Sequence, residues 1–323
     1  MNAFMRRSSI AGLALCLATA SLAMEVDPQL PSYGKVSGVS GSIKSVGSDT
    51  LNNLMTLWSE GYRSAYPNVR IEIEGKGSST APPALIQGTS QFGPMSRAMK
   101  SKESDGFEKK FGYKPSVVRV AVDALAVFVN KDNPVECLTM QQLDAAFSKT
   151  RKGGQATDIH TWGELGLKGE WAAKPISLYG RNSASGTYGY FKEKALFKGD
   201  YKDSVKEQPG SSAVVQGVAS DKYGIGYSGV GYKTADVRIV PLAGEDGTCY
   251  DADAEDAYSG DYPLARFLYV YVNKNPNTDL DPLRGEFVKY IYSKEGQTSV
   301  IKDGYFPVSK ALADEDLAGI GLK

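Results

Sequence analysis

Three short segments combine glycine with serine and threonine: Gly47-Ser48-Asp49-Thr50-Leu51, Gly77-Ser78-Ser79-Thr80, and Gly180-Arg181-Asn182-Ser183-Ala184-Ser185-Gly186-Thr187. Each follows a run with strand character and opens a run with helical spacing. At a helix start the first N–H groups lack intrahelical partners, and the helix dipole adds partial positive charge. Such an end is suited to an anion, and glycine lets the backbone come close to it. Ordinary N-capping explains any one such segment, since Ser, Thr and Asp are favoured caps. Three of them, one with an arginine ahead of Ser185-Gly186-Thr187, favour an anion site. Arg181 is the strongest single candidate, because a guanidinium fork can bind two oxygens of a tetrahedral anion. Its plainer reading is a surface ion pair, which contributes little.

Other chemistry is poorly supplied. The single histidine, His160, lies in a polar stretch before Trp162 and reads as a surface residue. With it and so few cysteines, no zinc site of His/Cys type can be assembled. The Gly-x-Ser-x-Gly elbow of serine hydrolases is absent, and a metal phosphatase would need His and Asp clusters. Gly224-Ile225-Gly226-Tyr227-Ser228-Gly229 matches a dinucleotide fingerprint in form only, for no amphipathic helix follows it. The stretch 226–234 fails as a P-loop because Tyr232 separates glycine from Lys233. No catalytic residue, metal or cofactor is therefore expected.

The elements that must position these turns alternate. Strand-like runs fall at 43–47, 69–74, 116–122, 125–129, 176–179, 225–227, 237–241 and 267–272. Helical spacing falls at 50–64, 79–87, 101–111, 139–147, 188–195, 211–219, 281–292 and 295–301. Pro82 and Pro83 sit in a first turn, where proline is tolerated. Alternation of this kind predicts an α/β fold with mostly parallel sheets. With 323 residues and no Pro- or Ser-rich linker, it predicts two lobes between which the chain crosses more than once.

Arg6 and Arg7, the apolar run 10–20 and Ser21-Leu22-Ala23 read as a secretory signal peptide over 1–23. Lipid attachment at Cys16 is disfavoured by Leu15 before it. The whole chain has 37 basic and 37 acidic side chains, so losing Arg6 and Arg7 leaves 35 against 37, a net charge of −2. Nucleic acid is disfavoured as a partner, since it needs a concentrated basic surface. Cys137 and Cys249 remain, and an oxidising compartment permits but does not require a bond between them.

The three turns, together with Phe92-Gly93-Pro94-Met95-Ser96-Arg97, occur in the order and spacing of the periplasmic phosphate-binding proteins of ABC-type high-affinity phosphate uptake. The chain resembles that family over essentially its whole mature length, including Gly224-Ile225-Gly226-Tyr227 and Tyr262-Pro263-Leu264-Ala265-Arg266. The resemblance implies a two-lobe, type II binding-protein fold, each lobe a mixed sheet flanked by helices. Lobe I would comprise 24–118 plus 265–323 and lobe II 119–264, with crossings near Arg119 and Pro263. It implies a secreted or periplasmic, monomeric, non-enzymatic receptor that passes inorganic phosphate to a membrane permease of an ABC transporter. It also implies roles for Thr50, Leu51, Ser78, Arg181, Ser185, Gly186 and Thr187 around the ligand.

One departure matters. Better-known members carry an aspartate where this chain has Ser96, followed by Arg97. A carboxylate accepts from a protonated oxyanion and repels a fully ionised one, whereas Ser96 could only accept. Asp123, inside the apolar run Val120-Ala121-Val122-Asp123-Ala124-Leu125, is the candidate replacement. A structural ion pair or a turn explains it equally well, since a charge in a buried strand needs a partner. Asp49 is a second candidate acceptor, although its position suits N-capping better. Sulfate or molybdate as ligand, and a secreted hydrolase, are the rival readings.

Overall fold

A computed structural model describes residues 24–322, so the expected signal peptide lies outside the described residues. The strands are β1 (Gly41–Val46), β2 (Val69–Glu74), β3 (Phe92–Met95), β4 (Ser116–Asn130), β5 (Ser177–Arg181), β6 (Lys206–Gln208), β7 (Gly224–Gly229), β8 (Val237–Ile239), β9 (Leu242–Ala243), β10 (Cys249–Tyr250) and β11 (Ala265–Val272). The helices are α1 (Asn52–Ala65), α2 (Ala81–Gln87), α3 (Ser101–Phe111), α4 (Met140–Phe147), α5 (Gly186–Lys194), α6 (Ser211–Ser220), α7 (Ala254–Ser259), α8 (Pro282–Ile291), α9 (Lys294–Lys302) and α10 (Lys310–Gly319).

Strands run in the order β2-β1-β3-β11-β4-β7-β5-β6, with β8 also on β4. The flanks are parallel, β1 with β2 and β3, β5 with β6 and β7. The middle is antiparallel, β11 with β3 and β4, and β4 with β7 and β8. The sheet is thus mixed, which corrects the expectation of mostly parallel pairing. The reason is that β4 and β11 run past each other between two halves, and no crossover helix joins them.

Two hydrophobic cores lie on either side of this crossing. One packs Ile43, Leu54, Met55, Trp58, Val120, Val270 and Phe287. The other packs Phe128, Leu143, Phe147, Trp162, Phe191, Val214 and Ile225. Each fully buried aromatic side chain in them contributes about 2–3 kcal/mol by leaving water. In β4 the change of core falls between Ala121 and Val122, and in β11 between Phe267 and Leu268. A strand that serves two cores is buried along most of its length, and β4 is apolar almost throughout.

The spacing predicts two strands here, 116–122 and 125–129. One unbroken strand forms instead, because Asp123 is paired directly with Arg266 of β11 and need not turn out to water. A disulfide joins Cys137 to Cys249, with Cα atoms 6.2 Å apart across a separation of 112 residues. Closing a loop of that size removes about 5 kcal/mol of unfolded-state entropy on the chain-entropy account. Among the described residues no helix is long and apolar enough to cross a membrane.

Candidate functional site

Side chains inside the helix-initiating turns divide into two kinds. Thr139, Asp253, Asp281, Ser293 and Ser309 each cap the helix they begin, accepting from the N–H three residues on. Ser185 does so for α5, accepting from the Tyr188 N–H at 3.3 Å. At α1 the N-cap is Leu51, and at the 3-10 turn Ser78–Thr80 it is Gly77; neither has a side-chain cap among the described residues. First-turn donors left free of caps are the groups an anion can use.

These turns converge. Thr50 Oγ1 lies 2.9 Å from Thr187 Oγ1, across a separation of 137 residues. Ser96 Oγ lies 3.4 Å from Thr187 Oγ1 and 3.3 Å from Ser78 Oγ. The Ser96 N–H donates to Ser78 Oγ at 3.0 Å. Gly186 completes the contact: a Cβ there would stand 2.2 Å from Ser78 Oγ and 2.7 Å from Ser96 Oγ. Thr50, Leu51, Ser78, Ser96, Ser185, Gly186 and Thr187 are all buried. The hydroxyls of Thr50, Ser78, Ser96 and Thr187 therefore form one cluster, the first three from turns in the first 100 residues and the last from the first turn of α5, while Ser185 caps that same turn.

Two buried guanidiniums flank the cluster. Arg181, 2% exposed, donates from Nη1 to Ser211 Oγ at 2.7 Å and from Nη2 to the Pro209 carbonyl at 3.3 Å. Its Nη1 is also 3.3 Å from the Asp49 carboxylate. Its Nε is buried without a partner among the described residues. Burial pulls the Arg181 guanidinium below its ordinary value, against the opposing charge of Asp49. The surface ion pair considered for Arg181 is thus replaced by an internal one.

The position of Asp49 suggests a cap on its own helix. Its Oδ2 instead accepts from the Ser211 N–H at 2.7 Å, capping α6 on the other side of the cleft. Gly210, the N-cap of α6, has no side chain to do so.

Arg266 stands out in the sequence only as part of a longer motif, yet its place is central. Its Nε and Nη2 donate to Asp123 Oδ2 at 2.9 and 2.7 Å. Its Nη1 donates to the Ser96 carbonyl at 2.8 Å and its Nη2 to Thr187 Oγ1 at 3.0 Å. Asp123 Oδ1 accepts from the Val230 N–H at 3.0 Å. Asp123 is therefore ion-paired behind Arg266, the alternative that the sequence left open. One signal could have found Arg266: two charges, Asp123 and Arg266, each embedded in an apolar strand, demand each other. Arg97 is likewise paired, with Glu103 at 2.8 Å. His160 is exposed and sits 3.0 Å from Asp158, with no part in this cluster. Among the described residues no group of three or more His, Cys, Asp or Glu is placed to hold a metal.

The arrangement can bind a small tetrahedral anion by hydroxyls, first-turn N–H groups and guanidiniums. Residues 35–295 match the model of the PBP superfamily domain. The chain is 59% identical over 304 residues to the phosphate-binding protein PstS of Pseudomonas aeruginosa, covering 94% of each. It is 27% identical to the phosphate-binding protein PstS of Staphylococcus saprophyticus, over 80% of this chain and 78% of that one. Among solved structures it resembles a putative phosphate ABC transporter substrate-binding protein with bound phosphate from Clostridium perfringens. The TM-score is 0.70 at 26% identity, covering 83% of this chain and all of that one. An ABC-type phosphate transport receptor from Vibrio cholerae shares the fold, with a TM-score of 0.64 at 20% identity over 82% of this chain and 100% of its own.

Proposed function

We propose, from the premise that this chain belongs to the phosphate-binding proteins of the PBP superfamily, that it captures inorganic phosphate and delivers it to an ABC-type permease. It is a transport receptor and not an enzyme, and it works in the periplasm, where its disulfide is stable. It acts as a monomer and takes no nucleic acid.

One observation carries the reading: the Thr50 and Thr187 hydroxyls, from the two lobes, meet at 2.9 Å, with buried Arg266 on Thr187 and buried Arg181 on Asp49 next to Thr50. The lobes are those of 24–118 with 265–323, and of 119–264, and they close about β4 and β11. Phosphate held there exchanges the mutual hydroxyl bonds for bonds to its own oxygens. Thr50, Ser78, Ser185 and Thr187 serve as hydroxyl donors, and Leu51 and Gly186 as backbone donors. Arg181 supplies the charged fork, with its unpartnered Nε available. Ser96 Oγ, whose neighbours are hydroxyls, accepts the proton of hydrogen phosphate. Asp123 contributes through Arg266 and does not touch the ligand.

Calorimetry with phosphate, sulfate and molybdate tests the assignment. Phosphate should prevail by at least about tenfold, the worth of one matched buried hydrogen bond. Comparable affinity for sulfate at neutral pH would defeat it. Arg181→Met should weaken phosphate by about a hundredfold or more, since hydrogen bonds to charged partners are the strong ones. Unchanged affinity would remove Arg181 from the site.

A further inference from the structure

Asp123 and Arg266 face each other on β4 and β11, the strands that carry the chain from one core to the other. Their side chains are 0% and 2% exposed. Such a pair loses the hydration of both charges and is a weak source of stability by itself. What distinguishes it is where the rest of the guanidinium points. Nη1 reaches the Ser96 carbonyl on the α1 side, and Nη2 reaches Thr187 Oγ1 in the first turn of α5. The ring of Tyr190 lies 5.2 Å from the guanidinium carbon and holds it from another side. One side chain therefore bonds the crossing strands, the first lobe and the second lobe together.

We infer that Arg266 is a positioning residue of the anion site, which fixes the Thr187 hydroxyl as a donor and ties occupancy at α5 to the crossing strands. A hydroxyl has one proton to donate and lone pairs to accept with. Nη2 takes a Thr187 lone pair at 3.0 Å, so the Thr187 proton is turned away from Arg266. It goes to Thr50 Oγ1 or Ser96 Oγ, or to an anion oxygen that takes their place. Asp123 sets the plane of the fork and cancels its charge, so the effect is orientation and not added attraction. The inference rests on the phosphate reading above and deepens it.

A calorimetric cycle separates this role from a merely structural one. Replacing the pair together, Arg266→Gln with Asp123→Asn, leaves no buried charge unpaired. Thr187→Val is then measured in both backgrounds. If Arg266 acts through Thr187, the valine should weaken phosphate about thirtyfold in the native background and less than about threefold beside the amide pair, as coupled neighbours do. Equal factors in the two backgrounds, or native affinity in the amide-pair protein, overturn the inference. Should the amide pair not fold, Arg266→Lys keeps a charge opposite Asp123 and loses the fork. Thr187→Val in that background is then compared with native in the same way, and equal factors or native affinity again overturn the inference. Failure of the native protein to bind phosphate overturns the functional reading and this inference with it. Native binding with equal factors overturns the inference alone.

Discussion

The two sides of the cleft approach each other closely where a side chain is missing. A Cβ on Gly186 would stand 2.2 Å from Ser78 Oγ, and one on Gly77, whose φ is +116°, would stand 2.5 Å from the Ala184 carbonyl oxygen. Two residues on, the Ser79 N–H donates to that same Ala184 carbonyl at 3.1 Å, a backbone bond across the cleft. Ser78 has little room to retreat, since its Oγ is held by the Ser96 N–H at 3.0 Å. Gly186 is not among the residues with positive φ, so alanine fits the backbone of α5 itself. Gly186→Ala should therefore leave each lobe folded and prop the cleft open. Phosphate affinity should fall by about a hundredfold or more, given the energy of such overpacking. The ligand-free melting temperature should stay within about 2 °C of native, because no lobe core is altered. Small-angle scattering with phosphate added should show a larger radius of gyration than the native protein. A variant that closes with native affinity would show that the lobes do not meet at Gly186.

Helix starts do different work in different places, and α5 does two kinds at once. Ser185 accepts from the Tyr188 N–H, as a cap does, and its neighbours Gly186 and Thr187 present the first-turn donors. Removing the cap with Ser185→Ala should cost about 1 kcal/mol of stability. In a chain of this size that lowers the ligand-free melting temperature by about 2 °C. Phosphate affinity should also fall, by about tenfold, because one hydroxyl donor and the order of the turn are both lost. Calorimetric melts with and without phosphate separate the two losses. A lowered melting point with native affinity would make Ser185 a cap and nothing more. The turns themselves are legible in the sequence because capping chemistry is local: Thr50, Ser78 and Ser185 each sit within one turn of the helix they begin. What stays illegible is set by register over long separations. Asp49 reaches Ser211 over 162 residues, and Asp123 reaches Arg266 over 143. A lone charge in an apolar run looks like a break until its partner strand is known, so β4 reads as two strands. β6, β9 and β10 have only two or three residues, too few for a period to show. In α10 only Ala313 and Asp316 are buried, so no apolar stripe marks it. Asp316 is buried there because it binds Arg119.

The two lobes also press together behind the cleft, and that contact makes a prediction about the molecule as a whole. Asp303 follows α9, which packs on the first core, and Val230–Tyr232 follows β7, which packs on the second. The Asp303 carbonyl is so near Gly231 that a Cβ there would stand 2.1 Å from it. The side-chain Oδ2 of Asp303 is buried without a partner among the described residues. Burial first, and the Asp123 charge second, push its carboxyl from 3.8 up to about 7. Tyr305, buried, and Tyr232, half-buried, border the same region, and desolvation pushes both above the ordinary phenol range. They therefore stay neutral and add no negative charge beside Asp303. A carboxyl with a raised folded value takes up a proton on folding. Its ionisation costs almost nothing below about pH 3, where both states are protonated. The cost grows as pH rises from about 4 to about 7, because the unfolded chain ionises first, and it is constant above that. Asp303→Asn preserves the shape and removes the charge. It should be more stable than native by about 1 kcal/mol at pH 4.5 and by about 4 kcal/mol at pH 8. Urea melts of both proteins at the two pH values measure the difference directly. A gap of the same size at pH 4.5 and pH 8 would mean that the Asp303 charge is not buried, and that the lobes do not seal their rear contact as described.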